Sequence, residues 1–268
     1  MLRPVHIAFV GLAALALAAC ASEKKDAYVE RPVEDLYNSA MDELETADYT
    51  KSVKDFNEVD RQHPYSVWAT KAQLMSAYTL YMQAKYDDSI IAADRFIQLH
   101  PGHRDVAYAY YLKALDYYIQ VTDVSRDQKT TEQAFNALSE VARRFPDTKY
   151  ARDARLKMDL TRDHLAGKQM TIGRWYENQG EYLAAMNRFK IVIDQYQTTT
   201  HVPEALERLT ECYLALGLVD EARRTTAVLG YNYPGSQWYA DTYAIVIGSN
   251  QPEGTQAGWF GRVVASLF

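Results

Sequence analysis

The chain has 268 residues, of which 48% are hydrophobic and 24% charged, and its formal net charge is −6. That is apolar content enough for one large or two small cores. The acidic balance, with no basic stripe along the chain, excludes a nucleic-acid binder; Arg143-Arg144 and Arg223-Arg224 are short and lie near helix C-terminal halves, where cations complement the dipole.

The first segment reads as a processing signal rather than a fold element. Arg3 supplies a positive start, and Val5 to Ala19 is an apolar run too short to span a bilayer as a helix. It ends in Leu17-Ala18-Ala19-Cys20. Small residues before a cysteine at the end of a signal peptide resemble a bacterial lipobox. That pattern implies cleavage before Cys20 and acylation of its thiol and new amine, with 1–19 a lipoprotein signal peptide and 20–31 a lipidated flexible tether. The alternative is an ordinary signal peptide whose cleavage point falls near a cysteine. Several acyl chains, at about 0.8 kcal/mol per buried CH₂, would make a stable anchor. Ala21 rather than Asp follows Cys20, which in a Gram-negative cell implies export to the periplasmic face of the outer membrane. Cys212 is then left without an intramolecular partner. It lies in a helical pattern, Leu209 to Leu216, and reads as a buried small hydrophobe.

From Pro32, placed to open a helix, one signature recurs five times at offsets 0, 3, 7, 10 and 15. Tyr49, Ser52, Phe56, Val59 and Pro64 form the first set; Tyr86, Ser89, Ala93, Phe96 and Pro101 the second; Thr131, Ala134, Leu138, Val141 and Pro146 the third. Tyr182, Ala185, Phe189 and Val192 follow the same rule with Gln197 in the closing slot, and Val219, Ala222, Thr226, Leu229 and Pro234 complete the ladder. Offsets 3, 7 and 10 share one helix face, and a proline just past the last turn stops the helix. Each set is the second (B) helix of a pair. The first (A) helices carry Leu36, Ala40 and Leu44; Leu74, Ala77, Tyr78 and Tyr81; Ile172, Gly173 and Tyr176; and Leu206, Leu209 and Tyr213. A small residue is needed where the two helices cross closely, with an aromatic from the facing helix filling the gap.

The expected fold is therefore all-α, a right-handed superhelical solenoid of five tetratricopeptide (TPR) helix pairs, whose basic unit is 34 residues. Repeats 1–2 occupy 32–101, repeat 3 with an insertion 102–146, and repeats 4–5 with a preceding long helix 147–247. The insertion is the polar stretch Gln120 to Thr130, and the long helix covers Tyr150 to His164 and can run on toward Trp175, with Gly167 as the place for a bend. Insertions in solenoids often map to the binding side. Segment 248–268 is a flexible tail with a short amphipathic apolar end, Trp259 to Phe268. That end suits a partner groove or a membrane surface, or equally a cap on the last repeat.

Nothing in the pattern points to catalysis. There is no phosphate-cradling glycine loop, nucleophile elbow or His-Glu-x-x-His, and His100-Pro-Gly-His103 reads as a turn rather than a metal site. No catalytic residue, metal or cofactor is expected.

Several stretches go beyond the generic repeat. They are Asp94-Arg-Phe-Ile-Gln-Leu-His-Pro101, Ser125-Arg-Asp-Gln128, Asp163-His-Leu-Ala166, Trp175-Tyr-Glu-Asn-Gln-Gly180 and Asn187-Arg188. Together with the lipobox, they make residues 20 to 245 resemble the BamD family, the TPR lipoproteins of the outer-membrane β-barrel assembly machine (BAM). Gln197 departs from the family's usual proline, and a looser bend between units four and five is expected there. The resemblance implies a non-enzymatic scaffold with three kinds of partner: the POTRA domain of the barrel subunit BamA, other Bam lipoproteins, and unfolded outer-membrane barrel proteins. In this family the N-terminal repeats are proposed to receive the substrate's C-terminal strand, and exposed aromatics such as Tyr65, Trp68 and Tyr108 would supply contact area. For the POTRA side the residues chosen are Arg188, which leaves the packed face beside Phe189, with Arg174 and Glu181. A secretin pilotin or a cell-envelope division scaffold would share anchor and fold.

Overall fold

The computed structural model describes residues 30–248. Cys20, the signal peptide, most of the tether and the tail lie outside the described residues.

Among the described residues the chain forms eleven α-helices and no strand: α1 (Val33–Glu45), α2 (Tyr49–Gln62), α3 (Val67–Met82), α4 (Tyr86–Leu99), α5 (Val106–Ile119), α6 (Lys129–Arg144), α7 (Lys149–Asn178), α8 (Tyr182–Gln195), α9 (Val202–Ala215), α10 (Val219–Asn232) and α11 (Gln237–Gly248). Each helix packs on the next in sequence, and each A helix also packs on the following A helix. This is the TPR solenoid read from the ladder. The offset-3 residues Ser52, Ser89, Ala134, Ala185 and Ala222 are all fully buried, as are Val59, Phe96, Val141, Val192 and Leu229 at offset 10.

The small offset-3 residue sets how close a pair can come. In the first two units it also makes a bond: Ser52 Oγ donates to the Ala40 carbonyl at 2.8 Å and Ser89 Oγ to the Ala77 carbonyl at 2.9 Å. In the fourth unit the crossing is close at Gly173. A Cβ on Gly173 would stand 2.5 Å from a ring carbon of Phe189.

Four A helices end in one motif. Ala47, Ala84, Gly180 and Gly217 sit at φ of 61°, 59°, 76° and 73°. The amide after each closes back on the carbonyl five residues earlier, Asp48 on Glu43, Lys85 on Leu80, Glu181 on Tyr176 and Leu218 on Tyr213. This left-handed C-terminal cap turns the chain into the B helix. The third unit lacks it and uses the connection 120–128 instead.

The closing slots tell a second story. His63, His100, Phe145 and Tyr233, each before a proline, adopt φ between −136° and −128° with ψ between 51° and 55°. Tyr196, before Gln197, adopts φ −123° and ψ 40° and caps its helix on Val192 in the same way. The looser bend expected at Gln197 is not what the structure has. Helix capping and packing hold that geometry without the steric restriction of proline.

α7 is a single helix of 30 residues, about 45 Å long, and runs through Gly167 without interruption. Its first half packs Ala154 against Leu138 and Val141 of unit three; its second half packs Ala166 and Met170 against Ala185, Phe189 and Val192 of unit four. One rigid rod thus ties the two halves of the ladder together. Sequence patterning did not anticipate α11 as a separate cap. Its Trp238 and Tyr239 lie against the last core cluster, and Thr242 and Val246 are buried, so it hides the apolar edge of unit five as a terminal cap must.

Candidate protein-binding site

The residues chosen from the sequence fall in different environments. Tyr65, in the turn between α2 and α3, is fully exposed at 101% of its reference area. Trp68 and Tyr108 are corrections. Trp68 packs into the first core cluster, its ring 4.8 Å from that of Tyr37. Tyr108 is half-buried against the cluster of Leu74 and Phe96, its ring 5.6 Å from Tyr150, and burial raises its hydroxyl pKa. Both flanks of an A helix are covered in a solenoid, so rings at its margins are drawn into the core. Arg188 is also more enclosed than expected. It is half-buried and donates to Gln169 Oε1 of α7 at 3.2 Å. Arg174 is committed to Glu204 of α9 at 2.8 Å, while Glu181 is exposed at the start of α8 with no side-chain cap bond. The three make separate contacts and do not form one cluster. Trp175 and Leu183, flanking the α7–α8 turn in sequence, are exposed apolar side chains that the sequence reading did not assign.

A concavity lies where the third-unit insertion meets α7. It encloses about 710 Å³ and is walled by Ile119, Val124, Leu160, His164, Gly167 and His201. Its shape depends on how the connection is pinned. Gln128 Nε2 donates to the carbonyls of Arg126 and Asp123 at 3.0 and 3.3 Å, folding the loop on itself. Asp123 accepts from Ser125 N–H at 2.8 Å, and hydrogen bonding from the Ser125 hydroxyl, with that N–H, lowers its carboxyl pKa.

Lysine and histidine from α7 then clamp the loop. Lys168 Nζ donates to the carbonyls of Ser125 and Arg126 at 2.8 and 3.1 Å, and His164 Nε2 lies 2.7 Å from the Thr122 carbonyl. On the other side Asp163 accepts from both the amide and the hydroxyl of Thr200, at 3.1 and 2.9 Å, and lies 3.6 Å from His201 Nε2. The groove is thus a junction of three segments held by hydrogen bonds, mixed in polarity and suited to binding rather than bond chemistry. The signal for it was present in Ser125–Gln128 and Asp163–Ala166, but their role in pinning the loop was not readable from spacing. The turn reading of His100 and His103 holds: His100 Nε2 lies 2.8 Å from Gln73 Oε1, and His103 Nδ1 accepts the Asp105 amide.

Comparisons with known proteins add to this geometry. A family model described as "YfiO: Outer membrane lipoprotein" matches residues 29–229. The outer membrane protein assembly factor BamD of Caulobacter vibrioides is 51% identical, over 91% of this chain and 81% of that protein. The protein of the same name in Rickettsia prowazekii is 47% identical, over 87% of this chain and 92% of its own length. Among solved structures, a thermophilic TPR protein of Thermus thermophilus is similar over 81% of this chain and 99% of that one, at 19% identity and a TM-score of 0.37.

Proposed function

This chain belongs to the BamD family of outer membrane protein assembly factors, and from that premise we propose that it is a lipid-anchored, non-enzymatic scaffold of the β-barrel assembly machine. Cys20 carries the anchor at the periplasmic face of the outer membrane. The first two or three helix pairs receive the C-terminal strand of an unfolded barrel protein, and the last two dock the POTRA domain of BamA, with other Bam lipoproteins alongside. The observation that carries the reading is the 51% identity to an assembly factor across 91% of this chain, on a ladder of helix pairs whose surfaces bind rather than catalyse.

The architecture supports a division of labour. α7 couples the two halves as one rod, so a partner docked at one end fixes the orientation of a surface at the other. Fully exposed Tyr65 belongs to the receiving half, where a rigid aromatic gives contact area at low entropy cost. Glu181 and Arg188, with the exposed Trp175 and Leu183 around the α7–α8 turn, offer the mixed polar and aromatic composition of an interface core. The test is conditional depletion in the native cell with quantitation of outer-membrane barrels. Loss of many unrelated barrels together supports the assignment. Loss of one secretin channel alone would replace it with a pilotin role.

A further inference from the structure

Outside the α7 groove, the most unusual chemistry in the molecule lies between α9 and α11. α9 presents Glu204, Glu207, Arg208 and Glu211 at helical spacing on one side. α7 adds Arg174 and Glu177, and α11 adds Asp241. Five carboxylates therefore face two guanidiniums, and both guanidiniums are committed. Arg174 holds Glu204 at 2.8 Å. Arg208 lies 3.2 Å from Glu211 Oε2 and 3.5 Å from Glu177 Oε2, with its Nε 3.6 Å from Glu204.

Glu207 is left over. It is 6% exposed, and its Oε2 is buried with no hydrogen-bond partner. Burial, reinforced by the nearby Glu211, pushes its carboxyl up to about 8; burial also raises Glu177 and Glu211. A carboxyl enclosed without a partner is costly and is relieved by an incoming positive charge. Glu207 forms one wall of a pocket of about 350 Å³, the other walls being Glu211, Asp241, Ala244 and Ile245. Asp241 and Ala244 are exposed. The pocket thus has a buried acid, a second acid at an exposed rim and two apolar side chains between helices. That arrangement matches a long basic side chain, with its charge on the carboxylates and its aliphatic stem on Ala244 and Ile245. Among the described residues no group of three or more His, Cys, Asp or Glu is arranged to hold a metal ion, so a metal is the poorer fit.

We propose that this pocket receives a lysine or arginine side chain from the protein docked on the last two helix pairs. The identity of that protein as the POTRA-bearing barrel subunit rests on the function proposed above; the chemistry of the pocket does not.

The experiment has two arms, both on the full chain. In the first, the protein carrying ¹³C-labelled glutamate carboxyls is titrated with Nα-acetyl-arginine methylamide, and with the norleucine analogue as the uncharged control. The expected result is a saturable shift of the Glu207 resonance in the millimolar range, as for a single anchor, produced by the arginine probe alone and absent in Glu207→Gln. No shift, or an equal shift with norleucine, overturns the proposal. A response that appears only in Arg262→Ala would place this chain's own arginine in the pocket and also overturn it. In the second arm, detergent-solubilised envelopes are passed over wild type, Glu207→Gln and the rim variant Asp241→Asn. Glu207→Gln should capture about tenfold less barrel subunit or worse, because one partner of an enclosed charge pair has been lost, and Asp241→Asn, at the exposed rim, should show a smaller loss that shrinks with added salt. Undiminished capture overturns the assignment of the pocket to that partner. If wild type captures no barrel subunit, the functional reading fails, and the titration still decides whether the pocket binds a basic side chain.

Discussion

Replacing Gly173 by alanine sets two effects of opposite sign against each other. In an isolated helix the change stabilises, because glycine is about 1 kcal/mol worse than alanine in a helix interior. In this chain the added methyl would stand 2.5 Å from Cε1 of Phe189 and 2.9 Å from its Cδ1 and Cζ. Carbon atoms rest near 3.5–4.0 Å, so the ring must move by about 1 Å. It is fully buried in a cluster with Met170, Ala185 and Val192 and has no open space to move into. Overpacking of this kind costs about 1–3 kcal/mol. Three short contacts place the cost toward the upper end, leaving a net loss of about 1–2 kcal/mol after the helix gain. For a chain of this size that lowers Tm by roughly 2–4 °C per kcal/mol. Urea unfolding read by tryptophan fluorescence measures it. The companion is Phe189→Leu, which opens space for the methyl. The double variant should lose less than the sum of the single losses, by about 1 kcal/mol. A Gly173→Ala chain more stable than wild type, with no coupling to position 189, would refute the close-crossing argument.

Asp116, 0% exposed, has one carboxyl oxygen 2.8 Å from Ser89 Oγ and the other without a partner, and burial pushes its carboxyl up to about 7. The folded chain therefore holds this proton more tightly than the unfolded one, whose carboxyl titrates near 3.9, and stability falls as pH rises between those values. Asp116→Asn should be the more stable form, with an advantage about 2 kcal/mol larger at pH 8 than at pH 5; an advantage independent of pH would contradict the buried-carboxyl account. At the left-handed turn positions, Gly180→Ala should cost about 1 kcal/mol and Ala47→Gly should gain up to that amount, as read by chemical denaturation; equal stabilities would deny the strain. Cys212 is fully buried and burial raises its thiol pKa, so in the Cys20→Ser chain it should react with a thiol reagent only once urea unfolds the protein. The same Cys20→Ser chain should move from the membrane to the soluble fraction, and continued membrane retention would count against lipidation.

How far the sequence could be read depended on whether a side chain obeys a one-dimensional period. The B helices obey it, because their buried face is a single stripe set by one neighbouring pair, and Tyr49, Tyr86, Tyr182 and Val219 mark helix starts. The extent of α7 was legible as a helical pattern running from Tyr150 toward Trp175, and the burial of Cys212 from its place among Leu209, Leu214 and Leu216. The A helices are covered on more than one side, so Trp68 and Tyr108 could not be sorted into exposed or packed from spacing alone. Asp116 and Glu207 escaped notice because charged residues are rarely buried; only the three-dimensional crossing of helices encloses them. α11 escaped because its exposed Tyr243 and Ile247 are as apolar as its packed Trp238 and Val246, which blurs any face. The α7 groove depends on amide and lysine bonds to loop carbonyls, and these leave no periodic trace.

The central claim is that this ladder works as a docking scaffold for the barrel subunit of the assembly machine. Affinity isolation of the full chain from detergent-solubilised outer membranes, with identification of the partners held in constant proportion, tests it most directly. A barrel protein bearing POTRA domains should be recovered at about one copy per chain. Recovery of a secretin channel in its place, with no POTRA-bearing barrel, would contradict the account.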